Sequence, residues 1–310
     1  METGFSLVVH GGAGRLSRQG LSEARRQSIE AGLAAALRIG GEILAGGGSA
    51  LDAVTAAAVS LEDDPNFNAG RGAVLCIDGT VEMDASIMDG DVRDGGAVAA
   101  VKGVKNPILL ARAVMEKTPH LLLVGGPAVR FAQEQGIPLA TSDYFVTGLR
   151  RQQWRDARRQ IALGADGLGT IGAVARDRRG RLAAATSTGG MTNQQLGRVG
   201  DSALLGAGTW ARNETCAVSA TGHGERFILA NAAARLSDLI ELGGMSLAAA
   251  AERLVNEELV RMDARGGLIA VDASGNVSMP FNSGGMLRGV LIEGQRPAVG
   301  IWEQMRPLES

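Results

Sequence analysis

"GTIGAVARDRRGRLAAATSTGG", residues 169–190, consists of two apolar runs joined by a short polar turn. Both runs, "TIGAVARD" and "RLAAATST", read as strands. Asp177-Arg178-Arg179-Gly180 lies between them, and a glycine at the third loop position after a type I turn marks a three-residue hairpin closed by a bulge. That turn predicts a register. With Asp177 opposite Arg181, paired positions sum to 358 and Thr170 faces Thr188. Opposed residues hold their Cβ atoms roughly 4.5–5.5 Å apart, so one hydroxyl could reach the other, or an amine. A two-residue Arg-Arg loop would put Ser187 opposite Thr170 instead, and an ordinary Thr–Thr cross-strand pair needs no chemistry at all. Upstream, "GADGLG" (164–169) is glycine-rich and loop-like, so the strand pattern begins abruptly at a threonine.

Around this hairpin, "SLVVHGGAG" (6–14) reads as a buried strand opening into a loop, and apolar residues on a helical period follow from Ser22 to Ala45. Ser49 and Asp52 make a capping box ahead of an alanine-rich helix running to about Leu61. "GAVLCIDGTVEMDASIMD" and "GGAVAAV" predict strands, with a hairpin at Asp78-Gly79 between the first two. Helices are expected at "NPILLARAVMEK" and "GGPAVRFAQEQG", then at about 225–240 and 246–260, with strands at "ETCAVSATG", "GGLIAVDASGNVSMPF" and "GGMLRGVLI". Strands, helices and strands in that order, with antiparallel hairpins, predict a layered α/β or α+β sandwich rather than a doubly wound parallel sheet. Between about 141 and 169 the pattern decays. "LRRQQWRDARRQ" holds Arg150, Arg151, Arg155, Arg158 and Arg159, which reads as a solvated linker more readily than as a nucleic-acid patch, because one tryptophan is little base-stacking surface.

The 310 residues carry a net charge of -2 and are 45% hydrophobic, enough for a large core and without a pull toward nucleic acid or anionic membrane. No apolar window reaches the roughly 18 residues of a membrane span, and the start lacks a basic, then apolar, leader pattern, so a cytoplasmic location is expected. Cys76 and Cys216 lie in apolar runs without metal-type spacing and read as buried free thiols. Glycine is in excess, 45 residues, and clusters at strand ends such as "HGGAG", "NAGRG" and "STGG", where backbone turns sharply or approaches a ligand.

The sequence has no G-x-S-x-G elbow, HExxH, P-loop or dinucleotide fingerprint, and its three histidines are scattered. "DGDVRDGG" imitates a calcium loop at Asp89 and Asp91 but has Arg93 and Ala100 where oxygen ligands belong. A glycine-lined site without such chemistry needs another nucleophile and base. Threonine can be both: once the preceding peptide bond is cut, its hydroxyl attacks, and its new α-amine, with a reference pKa of about 7.7–8.0, accepts the proton. Activity should then rise with pH as that amine deprotonates.

The hairpin, with "VVHGGAG", "LEDDPNFNAGRGAVL", "EMDASIMDG", "GRVGDS", "ATGHGE" and "MPFNSGGM", resembles the plant-type L-asparaginases, or isoaspartyl peptidases, which are N-terminal-nucleophile hydrolases. The resemblance implies an α+β fold, the four-layer αββα sandwich, made as one domain over residues 1–310. It implies self-cleavage between Gly169 and Thr170 into an α-subunit 1–169, with a flexible linker at about 141–169, and a β-subunit 170–310. Thr170 would be the nucleophile and Thr188 its neighbour. Arg198 and Asp201 would hold the substrate's α-carboxylate and α-ammonium, though a loop salt bridge between them is the plainer reading of the spacing. Thr221 and Gly222 would form the oxyanion hole, Asn68 would sit near the nucleophile, and Gly190 and Gly222 would let substrate approach main chain. Leu61, Glu62, Asp64, Phe67, Ala69 and Arg71 would offer carbonyls to a structural sodium ion, with no organic cofactor. Expected substrates are L-asparagine and β-aspartyl dipeptides, and the expected assembly is a dimer of αβ units. A glycosylasparaginase is the alternative within the class, disfavoured by Gly169 where an aspartate is usual. A non-enzymatic protein binding a small ligand at the glycine-rich strand ends is the alternative outside it.

Overall fold

The computed structural model describes residues 4–160 and 169–308. Its first half contains β1 (Ser6–Gly14), α1 (Glu23–Ala45), α2 (Ala50–Asp63), β2 (Met83–Asp89), β3 (Asp94–Val101), α3 (Pro107–Lys117), β4 (Leu122–Val124), α4 (Gly125–Glu134), α5 (Ser142–Phe145) and α6 (Gly148–Arg159). The second half adds β5 (Ile171–Arg176), β6 (Leu182–Thr188), β7 (Thr209–Ala211), β8 (Cys216–Gly222), α7 (Gly224–Ala230), α8 (Ala232–Glu241) and α9 (Leu247–Arg253). It ends with β9 (Gly266–Asp272), β10 (Val277–Ser278), β11 (Gly285–Ile292), β12 (Ala298–Gly300) and β13 (Met305–Pro307). Nine strands form one sheet in the order β13-β12-β11-β1-β5-β6-β2-β3-β4, and four form a second, β10-β9-β8-β7. Apart from β4 beside β3, the paired strands run antiparallel.

The turn at 177–180 explains the layering. Gly180 takes φ +81° and donates its N–H to Asp177 O, while the buried Asp177 carboxylate accepts from Arg179 N, Arg181 N and Ala50 N. The resulting pairs run from Ile171↔Ser187 to Arg176↔Leu182, the register that the three-residue loop predicts. Because strand side chains alternate, Ile171, Ala173, Ala175, Ala183 and Ala185 all face the layer of α1, α2 and α3, and Ser187 Oγ donates to Glu62 of α2 at 2.6 Å. Val174, Leu182 and Ala184 face the opposite way, into a core shared with Ala217 of β8 and Ile269 and Val271 of β9. The outer face of the small sheet buries Val218, Ala220 and Leu268 beneath α7, α8 and α9. Helix, sheet, sheet and helix layers follow, an αββα sandwich of the α+β class. Thr170, Thr186 and Thr188, at even positions, point between the two sheets.

The capping box forms as the sequence suggests: Ser49 Oγ accepts from Asp52 N at 3.1 Å and donates to Asp52 Oδ2 at 2.6 Å. Other expectations need correction. "GAVLCI" is not a strand. Its backbone groups pair with the 191–194 loop, Ile77 N donating to Gln194 O and Leu75 O accepting from Asn193 N, leaving one isolated bridge at Cys76, although Asp78-Gly79 is a tight turn. The helix at 225–240 breaks at Asn231, which adopts a left-handed conformation (φ 48°). The 246–260 helix passes through a π turn, Leu254–Glu258. The linker expected at about 141–169 carries α5 and α6 up to Arg159, while residues 161–168 lie outside the described residues. Arg150 accounts for the difference. It is only 1% exposed, its Nε donates to Gly72 O at 2.6 Å, and burial lowers its pKa to about 10. Trp154 Nε1 adds a bond to Cys76 O at 2.8 Å, so a stretch that reads as solvated is fastened by two long side chains, while Arg151, Arg155, Arg158 and Arg159 stay exposed. Cys76 and Cys216 are buried and free. Among the described residues no helix is long and apolar enough to cross a membrane.

Gly180→Ala tests the turn. A Cβ there meets nothing closer than 3.4 Å, so strain at positive φ dominates, and stability should fall by about 1 kcal/mol in urea unfolding. An unchanged midpoint would refute this reading of the hairpin.

Candidate active site

At the mouth of the β5–β6 hairpin, Thr170 occupies the last position before β5 and is 7% exposed. It lines a pocket with Gly169, Thr188, Gly190, Arg198, Asp201, Ser202 and Gly222. Thr188 follows from the register, but the two threonines do not bond each other as the sequence suggested. Thr188 Oγ1 accepts from Gly190 N at 3.0 Å, and Thr170 Oγ1 meets Ser202 Oγ at 3.3 Å. Ser202 was not foreseen; its only signal was its place beside Asp201 in "GRVGDS".

Close backbone approach shapes the scissile region. Gly12, at φ +107° beside the bulge in the β1–β11 pairing and just past the point where β1 leaves β5, lies so near that a Cβ would sit 2.6 Å from Gly169 O. Thr221 Oγ1 accepts from Ala13 N at 3.3 Å, which leaves its hydroxyl proton free, and it would be 3.0 Å from a Cβ at Gly169. Gly222 is pressed against Gly266 on β9, where a Cβ would fall 2.4 Å from Arg265 O. Asn68 is set back from the pocket. Its Nδ2 donates to Gly190 O at 2.7 Å and its Oδ1 accepts from Val74 N at 2.9 Å, so it fixes the turn after Thr188 rather than facing the cavity.

The loop that follows β6 carries the charges. Glu82 accepts from Gly197 N at 2.7 Å, and Asp84 on β2 accepts from Gly200 N at 3.2 Å and Ala100 N at 2.9 Å. The salt bridge between Arg198 and Asp201 does not form. Arg198 pairs with Glu225 through Nε at 2.9 Å and Nη2 at 3.0 Å. Asp201 Oδ2 is buried and has no partner. Burial pushes the Asp201 carboxyl up to about 7, against the pull of Arg198, and pushes Asp84 up to about 6. A bare carboxyl in such a pocket suits a cationic ligand group, and Arg198 beside it suits an anionic one.

The six expected sodium-binding positions fall on the end of α2 and the loop after it. The loop closes on itself: Arg71 N donates to Glu62 O at 2.7 Å, Phe67 N to Asp64 O at 3.2 Å, and Gly70 (φ +49°) folds over Glu62. Among the described residues no group of three His, Cys, Asp or Glu side chains is arranged to hold a metal.

Asp201 carries a stability cost with a definite sign. Its folded pKa of about 7 lies above the ordinary 3.8, so the native state holds this proton more tightly, and stability is lost as pH rises through about 7. Asp201→Asn should therefore raise Tm relative to the parent at pH 8 and much less at pH 5. A larger gain at pH 5 would contradict the assignment.

Residues 3–301 match the sequence profile of the family described as Asparaginase. The chain is 48% identical to the isoaspartyl peptidase of Salmonella typhimurium, over 96% of this chain and 98% of that one. It is 46% identical to the isoaspartyl peptidase of Escherichia coli, over 96% of each, and 46% identical to the human isoaspartyl peptidase/L-asparaginase, over 87% of each. Matches of this extent, over a pocket lined by a hairpin threonine, an arginine and a carboxyl with one unpartnered oxygen, make the chain a member of the asparaginase family.

Proposed function

We propose that this protein is a self-processing threonine hydrolase that converts L-asparagine to L-aspartate and ammonia and removes β-aspartyl residues from dipeptides. The observation that carries this reading is the convergence of Thr170, Arg198, Asp201 and Gly222 on one pocket, with Asp201 Oδ2 unpartnered. Relatives bearing isoaspartyl peptidase and L-asparaginase names support the substrate class.

In processing, Thr170 Oγ attacks the Gly169 carbonyl, the acyl group moves from nitrogen to oxygen, and water releases a Gly169 carboxylate and a free Thr170 amine. In turnover, the substrate's α-carboxylate pairs with Arg198 and its α-ammonium with Asp201, so its side-chain amide carbonyl lies at Thr170 Oγ. The Thr170 amine takes the hydroxyl proton as the C–O bond forms. Thr221 Oγ–H and Gly222 N–H face the developing oxyanion; one such donor is typically worth about 2.7–4 kcal/mol in the transition state. The leaving amine takes a proton and departs, and water opens the β-aspartyl ester. The charge pair predicts a preference for small substrates with both α-groups free, since an internal peptide bond would satisfy neither Arg198 nor Asp201.

A monovalent cation on the 61–71 loop would be held by main-chain carbonyls, two of which, Glu62 O and Asp64 O, also accept backbone N–H groups of the loop. Its role would be to stiffen the turn that carries Asn68, and no chemical step passes through it.

Thr170→Ala tests the proposal: both scission and ammonia release should vanish while the fold, read by circular dichroism, persists. A processed or active variant would overturn it.

A further inference from the structure

Between the sheets, behind Thr170, lies a line of buried polar side chains that the reaction above does not use. Ser86 Oγ donates to Ser202 O at 2.6 Å and shares that proton with Thr209 Oγ1 at 2.7 Å. Thr209 donates to Thr186, Thr186 meets Ser219 Oγ at 2.8 Å, and Ser219 meets His10 Nε2 at 2.9 Å. Ser86, Thr186, Thr209, Ser219 and His10 are all 0% exposed, and Ser202 is 1% exposed. The members come from β1, β2, β6, β7 and β8 and from the loop after β6, so both sheets contribute.

Each hydroxyl has one proton to give. Thr209 gives its proton to Thr186, whose Oγ1 reaches both Gly208 O at 3.4 Å and Ser219 Oγ, and Ser219 carries the line on to His10 Nε2. The ring is neutral, because burial drives its pKa down to about 3. The ring also neighbours the main chain of Thr170, and its Nδ1 is buried without a hydrogen-bond partner. The other end of the line holds the carbonyl of Ser202, whose hydroxyl meets Thr170 Oγ1 at 3.3 Å. The two ends of one polar line thus lie at the hydroxyl side and the main-chain side of one threonine. Gly172 leaves room for it, since a Cβ there would sit 1.9 Å from Ser219 Oγ and 2.5 Å from His10 Nε2.

We propose that this line is the positioning device of the nucleophile, with Ser202 the contact on the reacting oxygen, His10 the contact on the main chain, and Thr186 the link between them. By donating to Thr170 Oγ, Ser202 leaves that oxygen's own proton free to pass to the Thr170 amine and holds the side chain in one rotamer for attack. Buried networks are worth most when every member is satisfied, so breaking the middle loosens both ends. The inference rests on Thr170 being the nucleophile.

The test compares two substitutions at Thr186, with kcat for L-asparagine expressed per processed chain. Thr186→Val keeps the shape and removes the hydroxyl; Thr186→Ser keeps the hydroxyl and removes a methyl. A loss near one buried hydrogen bond predicts that Thr186→Val lowers kcat on the order of tenfold, with KM within about twofold of the parent. Thr186→Ser should restore most of that kcat. A purely packing role predicts the reverse order. If Thr186→Val keeps the parental kcat, or if serine falls as far as valine, the proposal is overturned. Should Thr186→Val fail to fold, Ser202→Ala reads the same effect from the end of the line: lower kcat at unchanged KM supports it, and parental kcat overturns it. Thr170→Ala separates the two levels. If it is inactive while Thr186→Val and Ser202→Ala are fully active, the nucleophile stands and only the positioning line falls. An active Thr170→Ala removes the nucleophile itself.

Discussion

The Asp177 turn is the constraint on which the rest of the molecule depends. One carboxylate, 1% exposed, collects the donors of the loop and the first N–H of α2, and so fixes both the β5–β6 register and the seating of the helix layer on it. A slip of one residue would turn every side chain of one strand to the opposite face. Alanines meant for the helices would then meet the second sheet, and the threonines that line the pocket would be buried under α2. The site is therefore a consequence of alternation. Where the even-numbered face is apolar it cements two sheets, and where it becomes threonine at Thr186, Thr188 and Thr170 it becomes chemistry.

Glycine and small residues do the remaining steric work. Gly12 allows the chain before Thr170 to lie against β1, Gly222 and Gly266 allow β8 and β9 to close beside it, and Gly172 leaves space for His10 and Ser219. None of these contacts is strong. Their effect is to bring main-chain groups and hydroxyls within reach of one carbonyl, where pre-organised dipoles act without reorganisation. The electrostatics oppose stability in the same place. Asp201 and Asp84 are buried carboxyls whose pKa values are pushed up by desolvation, and Asp201 keeps one oxygen unpartnered. That is the arrangement expected where binding is bought at the cost of the empty fold.

Much of this was legible in the sequence because it is local. The hairpin loop announces its own register, Ser49 and Asp52 announce a helix start, and the apolar runs on either side of the turn announce β5 and β6. What was not legible is settled by distant partners. "GAVLCI" has the composition of a strand but gives its hydrogen bonds to the 191–194 loop. Arg150 sits among arginines that face water, and its burial against the carbonyl of Gly72 distinguishes it. Asn68 was expected near the nucleophile, but its bonds to Gly190 O and Val74 N could not be read from the sequence. Ser202 and His10 carry no pattern in sequence, since their meaning comes from strands of two different sheets meeting behind Thr170.

The account stands on Thr170 acting through a terminal amine that exists only after the Gly169–Thr170 bond is broken. The most direct measurement follows purified precursor over time, reading N-terminal sequence and intact mass alongside ammonia release from L-asparagine. The account predicts that a new terminus beginning Thr-Ile-Gly appears and that activity grows in proportion to it. Full activity from chains that keep the Gly169–Thr170 bond intact would contradict it.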